Sequence, residues 1–549
     1  MNRRHLLRLN ASAVALGAAL IATPAFAQGE KPAVETLQLT LEEAVRRAVE
    51  HNPDLAIVRL ETEVDAARVG QSRGAFAPVF STILGSSGNV APPATLLLGD
   101  RGVHTNDAFS STGVRQRLPW GAGIWSVSWD TSRTTTNSPF TSFDPTLQSG
   151  VQIAFSQPLL KDRKIDAARQ QYIIAKRNRE SSELRFRESV VQTVAAVKQA
   201  YWTLKATVAN VTVQQRSLEL AEELARQNKV RVDAGQIPPL DLVQAEAEVA
   251  QRRENLIRAH TAAADAEDRL RRLIIDPADA SFWRTSVDPV EEPTGRVPLP
   301  DVDAAVAAAL NRRYDIARAG HDLENARTNV EFLGNQRLPD VRLETSYRGS
   351  GLAGTQLVRT GPFPGVVTGN VSRSFGDALS QAFSPDYPTW SLGVTVSYPL
   401  GRSYEEASFA RAEIERRQAA QRIASLKLDA AETIRQAARQ IQSTAERVDA
   451  ARAGATLAEQ RFDAEQRRFA VGLSTTFLVT QAQRDLLQAQ VNLLQTNLDY
   501  ESSLVNFEAV QQAPPLAAGD TVGVKGANIV LLPTPSPRGI FRPGTSAGF

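Results

Sequence analysis

Few side chains in this sequence are spaced for covalent chemistry. The five histidines stand at 5, 51, 104, 260 and 321; no two are close, and no spacing supports a metal site. There is no cysteine, which removes disulfides, thiolate metal sites, cysteine nucleophiles and a lipidated N-terminal cysteine. No Gly-x-x-x-x-Gly-Lys-Ser/Thr phosphate loop occurs, so any energy input must come from a partner. No nucleophile motif is present either, and the reading is a non-enzyme with no cofactor and no metal. What remains are residues that stop, dock or anchor. Gly235 and Gly472 each end a very long helical stretch, and Trp125, Trp129, Trp390 and Tyr398 punctuate alternating strands.

At 549 residues the chain is large enough for a composite architecture. Its net charge of +2 gives no electrostatic case for nucleic acid. Arg3, Arg4 and Arg8 precede the short apolar run Ala11 to Ala22 and the small-x-small site Ala25-Phe26-Ala27. This pattern predicts an export signal over 1–27. Arg3-Arg4 resembles a twin-arginine signal, but that route carries folded cargo and does not suit a barrel that folds in a membrane. Beyond the signal no run of eighteen apolar residues exists, so no spanning helix is expected. The options are a soluble periplasmic protein, a secreted protein or a membrane barrel.

The chain is internally duplicated. Leu41 to Gly88 aligns without a gap on Val302 to Gly349, an offset of 261. Gln157-Pro158-Leu159 meets Tyr398-Pro399-Leu400, and Gly235 meets Gly472. The organisation expected is a first repeat over 39–275, with strands at about 78–158 and a tip at 234–240. A Pro-rich linker follows over 276–300, then a second repeat over 301–510, with strands at about 339–399 and a tip at 471–476. The Pro- and Gly-rich tail over 511–549 reads as disordered.

Lys161 to Asp233 holds no Pro or Gly. Its apolar residues Val190, Val194, Val197, Tyr201, Leu204, Val208 and Val211 alternate spacings of four and three, the heptad seam of a left-handed coiled coil. Ala431, Ile434, Ala438, Ile441, Ala445 and Val448 repeat that register with smaller residues. A helix of this length extends roughly 110 Å. Each ends at its glycine, and a returning helix follows over Leu240–Leu273 and Thr476–Phe507. Two helical hairpins with their turns at one end are therefore expected.

Trp390 to Tyr398 alternates strictly, with Trp390, Leu392, Val394, Val396 and Tyr398 on one side and small polar residues on the other. Val341 to Arg348, Val151 to Ser156 and Trp125 to Trp129 alternate likewise. Charged residues on one face and aromatics at the ends fit a water-filled barrel. The polar stretches 89–111, 131–148 and 349–388 read as external loops, and Pro119-Trp120-Gly121 as a tight inner turn. The first repeat then holds four strands and the second two; in a simpler reading 114–131 is loop and each half holds two. Neither four nor six strands can close a barrel, so several copies must share one.

In the order of these features the chain resembles the TolC family of outer-membrane factors over roughly Leu39 to Val510. The carriers are the export signal, the duplication, the strand-to-Gln157-Pro158-Leu159 junction, and the tip motifs Val232-Asp233-Ala234-Gly235 through Gln244-Ala245 and Phe469-Ala470-Val471-Gly472 through Gln481-Ala482. The resemblance implies an α+β, mainly α, fold. A barrel shared by a homotrimer would sit in outer-membrane lipid, above a periplasmic tube of coiled-coil hairpins. It implies an efflux or type I secretion duct that docks a periplasmic adaptor (a membrane fusion protein) and, through it, an inner-membrane pump. Family barrels take four strands per protomer, twelve in all; the extra hairpin here would make eighteen. The docking positions implied are Gly235, Asp241, Gly472 and Ser474. Asp241 matches a tip aspartate that bonds across to the neighbouring hairpin, but its tyrosine partner falls at Phe469 and a usual arginine at Ser474. The acidic constriction falls at the uncharged Leu478 and Gln481. The gate expected here is therefore packing by Phe469, Phe477 and Leu478, beside Gln481. The rival reading is a soluble periplasmic coiled-coil adaptor or binding protein.

Overall fold

The computed structural model describes residues 36–92, 102–276, 284–293, 295–362, 364–401 and 404–512. The expected export signal lies outside these residues, as do part of the linker and the tail from 513 on.

Each repeat opens with two short helices. α1 (Leu41–His51) is capped by Thr40, whose hydroxyl accepts from the Glu43 N–H, and α2 (Pro53–Arg73) by Asn52, whose side chain accepts from the Leu55 N–H. Their counterparts are α5 (Val302–Arg312) and α6 (Tyr314–Gln336). The long hairpins are α3 (Ala167–Asp233) with α4 (Pro239–Ile274), and α8 (Tyr404–Ala470) with α9 (Thr476–Gln511). At 67 residues each, α3 and α8 extend about 100 Å. The first begins later than Lys161 because Asp166 caps it, accepting from the Arg169 N–H at 3.0 Å and pairing with Arg117, at the end of a strand two hairpin turns back in the sheet, at 3.1 Å.

The return helix is spliced to the opening helix of its own repeat. Asn52 donates to the Leu273 carbonyl at 3.2 Å, so α4 runs into α2 along the flank of α3. Arg313, 261 residues later, donates to the Val510 carbonyl and joins α9 to α6 along α8. The largest core cluster forms around the first splice, where Val190, Val194, Val197, Tyr201 and Leu204 pack on Leu39, Val45, Leu55, Leu270 and Ile274. Strand β1 (Thr36–Leu39) pairs in parallel with β6 (Ser286–Pro289) over this core. The buried Tyr201 hydroxyl donates to Leu39 O and accepts from the Glu291 N–H, both at 3.0 Å. The seam loses its cover beyond this point: Val208 is 39% exposed and Val211 half-buried.

The end opposite the hairpin turns is one antiparallel sheet. β2 (Val79–Ala91), β3 (Val103–Arg117), β4 (Ile124–Thr136), β5 (Phe143–Pro158) and β7 (Asp340–Thr360) pair in that order. The upper part of β7 pairs with β8 (Val366–Arg373) and its lower part, Asp340 to Gly349, with β9 (Pro388–Ser397). A short helix, α7 (Phe375–Phe383), joins those two. The two-strands-per-half reading is overturned, because β3 and β4 pair in an unbroken ladder from Arg117↔Ile124 to Thr105↔Thr136. The expected inner turn at 119–121 is present, closed by the Leu118 N–H donating to Gly123 O at 2.8 Å. The three expected external loops are largely strand: β3 starts at 103, β4 runs to 136, β5 starts at 143 and β7 reaches 360. Apolar alternation reports contact with lipid, not pairing, and the ladders continue through Thr- and Ser-rich sequence where that alternation stops.

Candidate functional site

The pairing registers sort the sheet into two faces. Trp390, Tyr347, Ile153, Val127, Val114 and Phe80 lie opposite one another strand by strand, and so do Val394 with Leu343 and Val396 with Val341. That row is apolar on all six strands; β3 also brings Thr112 and Gln116 to this face, where Thr112 meets Thr82 at 2.9 Å. Trp125 and Tyr398 stand at its helix-side end and Trp390 toward its far end, with Trp129 one row beyond Trp390, its indole N–H donating to Ser149 Oγ at 3.0 Å. From Trp390 to Tyr398 the strand covers roughly 27 Å before any tilt, matching the apolar band of a membrane barrel.

The other face is polar on β4, β5, β7 and β9. Asp130 accepts from Ser111 Oγ at 2.6 Å and pairs with Arg348 at 3.5 Å; Thr134 bonds Asp107, and Ser346 meets Ser391 at 2.7 Å. At its lower end Arg342 pairs with Asp340 at 2.8 Å and Asp162 at 3.6 Å. A sheet with one lipid-compatible and one water-compatible face is the wall of an aqueous conduit.

At the opposite end the two hairpin turns are built alike. Gly235 and Gly472 take the left-handed conformation, with φ of +67° and +78°. Each closes a helix with the same pair of bonds: Gly235 N–H to Val232 O and Gln236 N–H to Arg231 O, then Gly472 N–H to Phe469 O and Leu473 N–H to Arg468 O. Asp241 lies in the first turn of α4. Ser474 Oγ bonds Glu465, and Thr475 caps α9.

The structure divides the four expected gate residues. Phe469 is only 3% exposed, locked among Leu224, Phe462, Val479, Ala482 and Leu486 inside the protomer. Of the residues expected at the gate it is thus the one packed within the protomer rather than exposed at the tip. Its position within the heptad spacing of α8 turns it toward α3 and α9 rather than outward. Phe477 is 65% exposed and Leu478 also faces out. Gln481 is half-buried and donates to Asp485 at 2.8 Å; Asp485 also pairs with Arg461 at 2.8 Å.

Sequence reasoning missed the ties between the hairpins. Arg231 of α3 lies 4.2 Å over the Phe469 ring and donates to the Phe469 carbonyl at 3.2 Å. Fully buried Asn228 donates to Asp241 O and accepts from Thr476 Oγ1, both at 3.4 Å. Glu248 of α4 is buried between Arg252 of its own helix and Arg484 of α9, whose Nε donates at 3.1 Å. Burial alone raises the Glu248 carboxyl, but the Arg484 hydrogen bond and the charge of Arg252 hold it below the usual glutamate range. A readable signal existed for Asn228: it continues the buried stripe Leu218, Ala221, Leu224 as the polar member.

Among the described residues no helix is long and apolar enough to cross a membrane, and no group of His, Asp and Glu is placed to hold a metal ion. The sequence profile described as Outer membrane efflux protein matches residues 125–274 and 305–510. No curated protein matches the sequence. Among solved structures, the CmeC outer membrane channel of Campylobacter jejuni shares 16% identity with a TM-score of 0.62, over 86% of this chain and 85% of that one. The outer membrane protein VceC of Vibrio cholerae shares 15% with a TM-score of 0.60, over 86% and 96%. The open state of the MtrE outer membrane channel of Neisseria gonorrhoeae shares 16% with a TM-score of 0.57, over 86% and 89%. At these identities the likeness is one of fold.

Proposed function

The chain belongs to the outer membrane efflux protein family, and on that footing we propose a homotrimeric exit duct whose barrel is unusually wide. It is an outer-membrane channel with a helical part in the periplasm, and the soluble-adaptor reading has no support. Six strands per copy give a shared barrel of eighteen, in which β9 of one protomer pairs with β2 of the next. β2 is one open edge and β9, with β8 above it, the other; β2 and β9 run in opposite directions, as an antiparallel seam requires. The single observation that carries this reading is an apolar-faced sheet ending in two unpaired edges. Six strands cannot close a barrel, and open edges do not persist in lipid.

Transport through the duct is passive and no bond is made or broken by this chain. The tips at Gly235, Asp241, Gly472 and Ser474 dock a periplasmic adaptor, which connects to the inner-membrane pump that supplies energy. Phe477 and Leu478, with Gln481 behind them, narrow the entrance; a hydrophobic constriction stops ions by dewetting. Phe469 acts from inside, holding the second hairpin against Arg231. The export signal over 1–27, the linker over 276–300 and the tail over 511–549 complete the proposed organisation.

The test is cysteine pairs across the seam, one on the 79–91 strand and one on the 388–397 strand. Expected are oxidised species up to three protomers, and large conductance steps in planar bilayers. A folded monomer that needs no detergent, or ladders that stop at two, overturns the reading. Phe477→Ala with Leu478→Ala should raise conductance; unchanged conductance removes those residues from the gate.

A further inference from the structure

Helix α7 lies on the apolar face of the sheet, against β7 and β5. The glycines beneath it fix this side. A Cβ on Gly349 would meet the Ala382 carbonyl oxygen at 2.0 Å, and one on Gly351 would meet that of Ala378 at 1.8 Å. Both glycines share the face of Tyr347 and alternate with Arg348, which points to the polar face and Asp130. Helix and strand backbones are thus in direct contact, and only glycine leaves room for it.

The helix has three distinct sides. Ala378 and Ala382 are buried against the glycines. Asp377 and Ser380 form a polar side, Asp377 closing a capping box with Ser374. Phe375, Leu379 and Phe383, four residues apart, form an apolar stripe; Phe383 is 72% exposed, and Tyr387 beyond it is exposed as well. The helix sits just past the Tyr347–Trp390 pair, at the end of the apolar band farthest from the helical stem. Gln381 accepts from the Leu352 N–H at 3.1 Å, a donor on the stretch of β7 that β9 leaves unpaired.

We infer that α7 is an interfacial anchor that inserts Phe375, Leu379 and Phe383 among the acyl chains of the outer leaflet at its headgroup boundary. The apolar stripe continues the lipid-facing side of the sheet, and the polar side gives the helix a wet edge, the pattern of a helix lying in a membrane interface. The helix sits beside the point where β9 begins, so it fixes the height at which the seam between copies meets the bilayer. This inference rests on the reading of the sheet as a membrane wall.

The chain has no cysteine, so Phe383→Cys and Val394→Cys each carry one nitroxide in liposomes containing the assembled protein. Collision with oxygen, which partitions into lipid, is compared with collision with a nickel chelate, which stays in water. Expected is an oxygen preference at both sites, smaller at 383 because it lies nearer the headgroups. Gly351→Val should expel the helix and lose the preference at 383 while leaving 394 unchanged. A nickel preference at 383 with oxygen still preferred at 394 overturns the anchor and leaves the membrane wall standing. Exclusion of both reagents at 383 also overturns it, because the stripe then packs on a neighbouring copy. A nickel preference at 394 removes the wall and the anchor together.

Discussion

The two repeats agree in the stem and part company in the sheet. The offset between them is 261 at the first helices, as from Leu41 to Val302, and 237 at each long-helix boundary after the strands. α3 and α8 are both 67 residues long, α4 and α9 both 36. All the length divergence therefore lies in the membrane end, where the first repeat supplies four strands and the second three with α7. Geometry explains the contrast. Both turns must reach one level to form a common tip, and a residue added to one long helix would rotate its seam by about 100°. A hairpin such as β2–β3 brings its own partner and leaves the sheet with two edges, as before.

The equality of the stems is the first thing to break. Leu204 and Ile441 are 237 residues apart and both are buried. Replacing either with alanine should cost about 2–5 kcal/mol. Leu204→Ala should fall toward the upper end, because it sits in the large cluster around Tyr201, whereas Ile441 packs mainly with Val448 and Tyr500. Val208→Ala, on the uncovered part of the seam, should cost less than about 1 kcal/mol. Urea midpoints followed by helical circular dichroism in detergent check this. Equal losses at 204 and 441 would mean that the splice core contributes no more than the bare coiled coil.

That contrast also explains what the sequence makes legible. Heptad spacing and the glycine stops announce the hairpins because each depends on local residue types. Strand phase is readable from Trp390 to Tyr398 because one face meets lipid. Farther along, the same strands run through Thr131 to Thr136 and Gly349 to Thr360, where no apolar alternation marks a face, and pairing depends on neighbours that periodicity does not reveal. Helix α7 sits within a stretch that reads as loop, although Ser374 and Asp377 carry the spacing of a capping box. The tip ties are hidden for another reason. Asn228 and Glu248 are polar at seam positions and read as interruptions until their partners Thr476 and Arg484 are brought in from the other hairpin. Phe469 shows the converse: its motif position gives no sign of its depth in the protomer, which only the packing of α3 and α9 around it reveals.

The sheet accommodates extra strands but not a change in its face chemistry. Val394→Arg places a charge on the lipid side of β9 and should destabilise by roughly 2–4 kcal/mol near mid-bilayer. Thr395→Arg, one residue on, points to the water-filled side and should leave assembly intact. Heat-modified mobility of the oligomer on a detergent gel reads both. Equal tolerance at 394 and 395 would remove the distinction between the faces.

At the tips the comparison turns on backbone alone. No atom lies within 4 Å of a Cβ placed on Gly235 or Gly472. Gly235→Ala and Gly472→Ala should thus cost only the left-handed conformation, about 1 kcal/mol each. Limited proteolysis should show faster cleavage at the altered turn and no change at the other. A much larger loss at either position would reveal a contact made by a second copy of the chain.

The smallest effect separates two acidic positions that the duplication makes equivalent, Glu248 and Asp485, again 237 residues apart. Glu248 is buried and links α4 to α9 through Arg484, while Asp485 is half-buried and meets Arg461 of its own hairpin. Because the folded Glu248 carboxyl titrates below its unfolded value, the stability it lends is present above the ordinary glutamate range, about pH 4.3, and is lost as pH falls through its lowered value. Protection from hydrogen exchange at the start of α9, taken relative to the intrinsic rate at each pH, should stay flat from neutral pH down to that range and then fall. Glu248→Gln should remove the acid-dependent step and raise exchange at neutral pH. Asp485→Asn should change exchange less, since a partly solvated pair contributes about 1 kcal/mol at most. If the two substitutions act alike, the hairpins are held by their apolar seams, and the buried ion pair is a consequence of their approach rather than a cause.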